Sequence, residues 1–376
     1  MSAPRPVQPL AERVPDALGF LWARDGRALV GHGENARIDP GTGPDRFERA
    51  ARAAARALAE HPGAHVAFGH FTFDERRDGS VVVVPERVDD IVYEPSGAAG
   101  PVERDRIRYA GSSVAEVSWL EAVDAAVARI GRGDVGKVVL ARDMLVWSKS
   151  ELDVRVLAQR LARRFPECYT FVFDGWVGAS PELLVRRRGA EVESLVLAGS
   201  AARGDDEGRD DALGDALLAS GKDVDEHRFG VESVRAVLAP LCARLDVEAA
   251  PSLLRLANVQ HLATRIRGVL ARPVGALELA GLLHPTAAVC GTPTHAALDA
   301  IGELEGMDRE RYAGPIGWVD SRGDGEWAIA LRCARVSGGR ARLFAGAGIV
   351  AGSRPEAELE ETRLKFRAML SALEER

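Results

Sequence analysis

Leu343-Phe-Ala-Gly-Ala-Gly-Ile-Val-Ala-Gly352 reads as a glycine-punctuated strand, and it runs into Glu358-x-x-Glu361-x-x-x-Lys365, which reads as a helix. Ser353 is a candidate N-cap with Glu356 as its capping-box partner, and Pro355 is tolerated in the first turn, where a missing N–H costs little. At about 100° per residue, Glu358, Glu361 and Lys365 share one narrow stripe. The stripe flanks the apolar face of Leu359, Phe366, Met369, Leu370 and Leu373, so it lies near the core side. Two carboxylates and an amine beside a core need something to bind, which makes this segment a site candidate.

Outward from this segment, strands dominate. Leu18 to Ala23 and Ala28 to Val30 flank Asp25-Gly26, a hairpin signal, and His65 to Phe73 and Val81 to Val84 flank Asp78-Gly79 in the same way. Between them, Asp45 to Ala59 has the apolar period of an amphipathic helix. Pro95 to Pro101 is the best candidate for an internal junction, dividing a strand-rich part (1–110) from a larger region (114–374) of one enzyme domain spanning 1–376. Beyond it we expect a helix near Val114–Ile130, the strand Lys137–Val146, and a helix near Val154–Arg164 capped by Asp153. Strands follow around Tyr169–Val177, Glu182–Arg187 and Val192–Leu197. Then come a charged mobile loop at Arg203–Asp210 and helices over Ala212–Ala219 and Val224–Leu245. Strands recur at Gly314–Asp320, Trp327–Val336 and Arg340–Ala345. No repeat with a period of roughly 20–50 residues is present. The excess of strands over helices predicts an α+β fold with a large antiparallel sheet system.

Composition narrows the partners. The 376 residues carry a net charge of −7, which argues against nucleic acid. No stretch approaches the roughly 18 apolar residues of a membrane span, and the start lacks a signal-peptide core. Cys168, Cys242, Cys290 and Cys333 form no C-x-x-C pair and read as buried free thiols in a reducing cytoplasm. Of 49 basic residues only Lys137, Lys149, Lys222 and Lys365 are lysines. A chain that supplies surface charge with arginine keeps lysine where a compact or deprotonable amine is useful. Lys149, in the turn Ser148-Lys-Ser150, is the weakest case.

A second acid pair lies in Lys222-Asp223-x-x-Glu226-His227, at the start of a helix whose later apolar positions are Val231, Val234, Val237, Leu238 and Leu241. Asp223 and Glu226 extend the buried stripe of Val234 and Leu241 at its N-terminal end. Alone, such acids could simply favour the helix N-terminus, worth under about 1 kcal/mol. Two acid pairs spaced i,i+3 on separate core-facing helices favour a shared divalent cation, and oxygen-only donors point to Mg²⁺ rather than zinc. Lys137 opens the apolar strand Lys137-Val-Val-Leu-Ala-Arg142, where lost hydration favours the neutral amine of a general base. A strand-edge Lys in solvent is the alternative. Glu182, in Ala179-Ser-Pro-Glu-Leu-Leu184, sits where a partly buried carboxylic acid could stay protonated and donate.

These motifs, with Leu197-Ala-Gly-Ser200, His261-Leu-Ala-Thr-Arg265, His284-Pro-Thr286, Ala330-Leu-Arg-Cys-Ala334 and Gly346-Ala-Gly-Ile-Val-Ala-Gly352, stand in one order along the chain. In that order they resemble the chorismate-binding enzymes, which comprise the isochorismate, salicylate, anthranilate and aminodeoxychorismate synthases. The resemblance runs from about Val114 to the C-terminus. It implies the fold of that family, a β-sandwich core flanked by helices. It further implies Mg²⁺ held by Glu226 and Glu361, with Asp223 and Glu358 acting through water, gripping the ring carboxylate of chorismate. By the same resemblance Arg332, Lys365 and the amides of Gly346 and Gly348 would hold carboxylates, and Tyr312 would support the enolpyruvyl carboxylate. Gly199, Ser200, Ala288 and Val289 would complete the substrate pocket. His261 would lie near the ring hydroxyl, Lys137 would activate water for attack at C2, and Glu182 would protonate the departing C4 hydroxyl.

Within the family, Lys137 stands where water-using members keep their base and ammonia-using members tend to have Gln. Val196-Leu-Ala-Gly-Ser200 replaces the Pro-Ile-Lys-Gly-Thr pattern of aminodeoxychorismate synthases, and Ala198 cannot form a covalent adduct. Ala288-Val289 resembles isochorismate synthases, whereas salicylate synthases tend to have Thr at position 288. Ala287, where the family more often has Pro, departs from the pattern and should alter loop stiffness rather than chemistry. The resemblance thus implies isochorismate synthase, with salicylate synthase as the alternative, acting as a monomer without a glutaminase subunit. Its product could feed menaquinone or a siderophore. A silent chorismate-binding paralogue should have lost Lys137, Glu182 or an acid ligand, and none is lost. A dinucleotide reading of Gly346-x-Gly-x-x-x-Gly352 fails, because the spacing is one residue too long and no acid follows about 20 residues on.

Overall fold

The computed structural model describes residues 10–12, 19–95 and 106–375. Leu18 and most of the expected Pro95–Pro101 junction lie outside them. The chain begins with β1 (Phe20–Arg24), β2 (Arg27–His32), β3 (Ala36–Ile38), α1 (Arg46–Glu60), β4 (Val66–His70), β5 (Val81–Val84) and β6 (Arg87–Val92). Next come β7 (Arg108–Gly111), α2 (Glu116–Gly131), β8 (Lys137–Trp147), α3 (Val154–Arg164), β9 (Tyr169–Phe173), β10 (Trp176–Ser180), β11 (Leu183–Arg188) and β12 (Glu191–Ala202). The helices α4 (Glu207–Ala219) and α5 (Gly221–Leu238) precede β13 (Cys242–Val247), β14 (Ser252–Arg255), β15 (Val259–Leu270), α6 (Ala276–Leu283), β16 (Gly291–Thr292) and α7 (Thr294–Leu304). The chain closes with β17 (Pro315–Asp320), β18 (Gly325–Ile329), β19 (Cys333–Ser337), β20 (Arg340–Ile349) and α8 (Pro355–Glu374).

Among the described residues the strands form two antiparallel sheets of ten. One runs β16-β8-β20-β19-β10-β9-β1-β2-β6 with β7 beside β8, and the other runs β13-β15-β12-β11-β18-β17-β4-β5-β3 with β14 beside β15. Alternation along the strands explains the layering. Phe20 and Trp22 of β1 join Phe68 and Trp327 of the second sheet in the core between the sheets, whereas Leu21 and Ala23 join Leu157 and Leu161 of α3 and Phe366 and Met369 of α8 on the outer side. A sheet covered on both faces has near-continuous apolar strands, as in Tyr169–Phe173. Each fully buried side chain such as Phe171 contributes roughly 1.5–3 kcal/mol. No described helix is long and apolar enough to cross a membrane.

Several expectations are corrected by local chemistry. The segment Tyr169–Val177 is two strands, because Asp174 and Gly175 take φ of 52° and 79° and turn the chain. The expected Val224–Leu245 helix stops at Leu238. Pro240 closes it in a short 3-10 turn, and Cys242–Val247 becomes β13. The N-cap of α8 is Arg354; the Ser353 hydroxyl instead accepts the Val350 N–H at 3.1 Å. The loop expected to be mobile at 203–210 is tied down, with Arg203 forked onto Asp210 at 2.7 Å on both arms and α4 already begun at Glu207. Cys242 is half-buried, while the other three cysteines are buried free thiols.

Two crossovers between the sheets position the site. The chain passes from β10 to β11 through Pro181-Glu182, and from β18 back to β19 through Ala330-Leu331-Arg332. Trp327–Val336 is therefore two strands in two sheets. The crossovers are pinned to each other. Ser180 Oγ donates to the Ile329 carbonyl at 2.6 Å, the Ile329 N–H donates to the Glu182 carbonyl at 3.2 Å, and the Ala179 N–H donates to the Arg332 carbonyl at 3.2 Å. Glu182 and Arg332 are thus fixed side by side by the main chain.

Candidate active site

A polar cavity of about 50 Å³ opens at these crossovers. Its walls include Glu182, Gly199, Ser200, Glu226, His261, Ala288, Val289, Tyr312, Arg332, Gly346, Gly348 and Lys365. Lys137 stands behind Glu226, and Glu361 behind Lys365 and Ser200. Asp223 packs against Gly199, and Glu358 lies on the far side of Lys222. A groove of about 770 Å³ along Leu145–Lys149 is larger but mostly apolar. Convergent buried charge, not volume, marks the site.

Arg332 is the most telling group. It is 7% exposed and has a φ of 49°, a conformation costing on the order of 1–3 kcal/mol in a non-glycine residue. Nη2 donates to His261 Nε2 at 2.9 Å, Nε is buried without a partner, and no carboxylate lies within ion-pair distance among the described residues. A buried guanidinium without a counter-ion is costly unless an anion is bound there. Because arginine only donates, Nε2 of His261 accepts. The ring proton is therefore on Nδ1, which lies 3.1 Å from the Gly199 carbonyl and 3.1 Å from Ser200 Oγ. Burial and the neighbouring Arg332 charge hold His261 well below the usual imidazole range, so it is neutral. The Ser200 hydroxyl in turn hydrogen-bonds the Glu361 carboxylate.

Glu182 is 4% exposed, and burial pushes its carboxyl up to about 8, against the Leu197 N–H and the charges of Lys137, Arg332 and Lys365. Burial thus favours its protonated form near neutral pH. Lys137 is 0% exposed, and its Nζ lies 3.2 Å from Glu226 Oε1. The strand-edge alternative for Lys137 is thereby excluded.

Three of the four lysines pair with three of the four acids. Lys137 meets Glu226 at 3.2 Å, Lys222 meets Glu358 at 2.5 Å, and Lys365 meets Glu361 at 2.5 Å. Asp223 takes a hydrogen bond from Ser220. Burial raises Glu361, but the Lys365 charge outweighs it and holds the group below the usual carboxylate range. Burial and the Glu361 charge push Glu358 above that range, and its Oε2 is buried without a partner. In kind, this donor set fits a hard divalent cation. In placement, each glutamate is drawn to a lysine, and no three metal-binding side chains converge at ligand spacing among the described residues. The scarcity of lysine had flagged Lys222, but nothing in the sequence named Glu358 as its partner.

The Gly346–Gly348 stretch has two constraints. A Cβ on Gly348 would sit 2.0 Å from Glu226 Oε1 and 3.0 Å from Lys137 Cε, and one on Gly346 would sit 3.2 Å from the Tyr312 hydroxyl. β19 pairs with β20 only over Arg340–Leu343. Past that point the edge of β20 away from β8 is open, and there the Gly346 carbonyl accepts Lys365 Nζ at 2.8 Å. Tyr312, stacked on Phe344 with centroids 5.2 Å apart, is held neutral by burial. We expect Gly348→Ala to displace the Glu226 carboxylate and lower kcat by about 100-fold, with the circular-dichroism spectrum unchanged.

Residues 98–374 match the family described as chorismate binding enzyme. Isochorismate synthase DhbC of Bacillus subtilis is 38% identical over 94% of this chain and 93% of that protein, and isochorismate synthase EntC of Escherichia coli K12 is 36% identical over 96% and 98%. The solved structure of DhbC from Bacillus anthracis superimposes with a TM-score of 0.89 at 35% identity, covering 97% of this chain and 98% of that one. The chain belongs to the chorismate-binding enzyme family.

Proposed function

We propose that this chain is an isochorismate synthase, exchanging the C4 hydroxyl of chorismate for a hydroxyl at C2. The observation that carries this reading is the pairing of a buried, anion-seeking Arg332 with a neutral buried acid, Glu182, in one cavity, with buried Lys137 behind the cavity-lining Glu226. Arg332, Lys365 and the open edge at Gly346 and Gly348 hold the substrate carboxylates, with Tyr312 supporting the enolpyruvyl carboxylate. Lys137 takes a proton from water as its oxygen bonds to C2. The ring double bonds shift, and the C4–O bond breaks while Glu182 supplies the proton that lets the hydroxyl leave as water. Water is consumed and released once each, so the reaction is a net isomerisation. Neutral His261 donates from Nδ1 and fixes Arg332 through Nε2.

In this reading Glu226 and Glu361, supported by Asp223 and Glu358, would hold Mg²⁺, which would supply a Lewis acid for the substrate carboxylate. We further propose one chorismate-utilising unit, with its catalytic region in 114–374, acting in the cytoplasm as a monomer without a glutaminase subunit. The purified protein with chorismate and Mg²⁺ should form isochorismate, separable by chromatography from salicylate and anthranilate, and chelation of divalent cations should stop it. Salicylate and pyruvate formed at the enzymatic rate would assign the chain to salicylate synthases instead.

A further inference from the structure

Behind the cavity lies a buried ion pair that this chemistry does not use. Glu305, closing α7, and Arg309 are 2% and 4% exposed, with Nη2 and Oε2 2.6 Å apart. Desolvation offsets most of the attraction in such a pair, so stability alone does not explain it. Its other bonds are more informative. Arg309 Nη1 donates to the Val289 carbonyl at 2.9 Å, and Nη2 donates to the Val139 carbonyl at 2.8 Å. Glu305 Oε2 accepts the Ala141 N–H at 2.9 Å. The Phe73 ring covers the guanidinium, 4.1 Å from Cζ.

Val139 and Val289 both line the cavity. Val139 is two residues beyond Lys137 on β8, and Val289 follows Ala288. Main-chain pairing between these segments is short. β16 meets β8 only over Gly291–Thr292, with two further bonds, from the Gly136 N–H to the Thr292 carbonyl and from the Val139 N–H to the Cys290 carbonyl, each at 2.7 Å.

We propose that Arg309 is a positioning residue whose planar fork sets the spacing between the Lys137 strand and the Ala288–Val289 loop, and so the placement of the substrate ring and the fate of the product. The proposal rests on the chorismate reading above. A guanidinium can bridge two carbonyls and a carboxylate at once because its donors are coplanar and splayed, whereas an ammonium can keep the carboxylate but not span both carbonyls.

The test compares Arg309→Lys, which keeps the ion pair and loses the fork, with Glu305→Gln, which removes the charge and keeps both carbonyl bonds. Arg309→Lys should lower kcat by about 100-fold, raise KM for chorismate and raise the ratio of pyruvate to isochorismate. Glu305→Gln should leave that ratio unchanged and kcat within about tenfold of the parent, even where its Tm falls as far. If Arg309→Lys does not fold, the double variant Arg309→Met, Glu305→Leu leaves no buried charge unpaired and is read in the same way. Losses that follow Tm equally in both variants, or an unchanged product ratio in Arg309→Lys, overturn the proposal. A parent protein that makes no isochorismate defeats the reaction assignment instead. Calorimetric affinity for chorismate then decides on Arg309: weakening confined to Arg309→Lys upholds its role, and equal affinities overturn it.

Discussion

Lys137→Gln should abolish turnover, lowering kcat by roughly 10²–10⁴-fold, while leaving Mg²⁺-dependent chorismate binding largely intact. Glutamine can still donate to Glu226 from the start of β8, but it has no basic nitrogen to accept a proton from water. Lys137 is fully buried and its Nζ faces Glu226 at 3.2 Å, the carboxylate proposed to hold the metal, whereas Arg332, proposed to hold a substrate carboxylate, contacts His261. Substrate carboxylates held by Arg332 and Lys365 should therefore remain bound. The check is kcat beside a calorimetric affinity for chorismate. Affinity lost along with turnover would make Lys137 a substrate-holding residue.

Glu182→Gln should be nearly as damaging, again by roughly 10²–10⁴-fold in kcat, because an amide cannot protonate the leaving hydroxyl. Its pH behaviour makes it the more diagnostic variant. Glu182 titrates at about 8 in the folded protein, so the parent should lose its acid, and its rate, as pH rises through that value. The residual rate of the variant should lack this alkaline limb. Stability follows the same sign. Folding raises this carboxyl, so the folded state holds the extra proton above the ordinary carboxylate range, and the group's contribution is lost as pH climbs towards about 8. Glutamine stays neutral, so Tm of the variant should rise relative to the parent between about pH 5 and about pH 9. Parallel Tm curves would show that Glu182 ionises at its ordinary value. Neutral His261 should add no step to the rate profile, and the stability it costs as pH falls below the ordinary imidazole range is common to parent and variant.

The parts of this protein legible in its sequence are those encoded locally. The i,i+3 acids of α5 and α8 mark buried faces whatever those faces meet, and Asp153 does accept the Arg155 N–H as the cap of α3. The segment 242–304 was largely missed. β13, β14 and β15 carry exposed arginines between apolar residues, and α6 and α7 are short, so only pairing across the second sheet identifies them. The paired crossovers are invisible for a related reason. Trp327–Val336 reads as one strand because each half is apolar, and the change of sheet at Arg332 depends on bonds to residues some 150 positions earlier in the chain, Ser180 and Glu182 among them. The candidate residues were legible through motif order. Their pairing, above all Lys222 with Glu358 and Arg309 with the carbonyls of Val139 and Val289, was not, because nothing in a sequence records which buried charges meet.

The central claim is water addition to chorismate, and labelled solvent tests it most directly. Chorismate incubated with the protein and Mg²⁺ in ¹⁸O-enriched water, with the product resolved by mass spectrometry, should give isochorismate carrying one solvent oxygen, at C2. Isochorismate without the label would contradict attack by water, and chorismate left unconverted, or an aromatic amine formed once ammonia is added, would contradict the assignment of Lys137 and of the reaction itself.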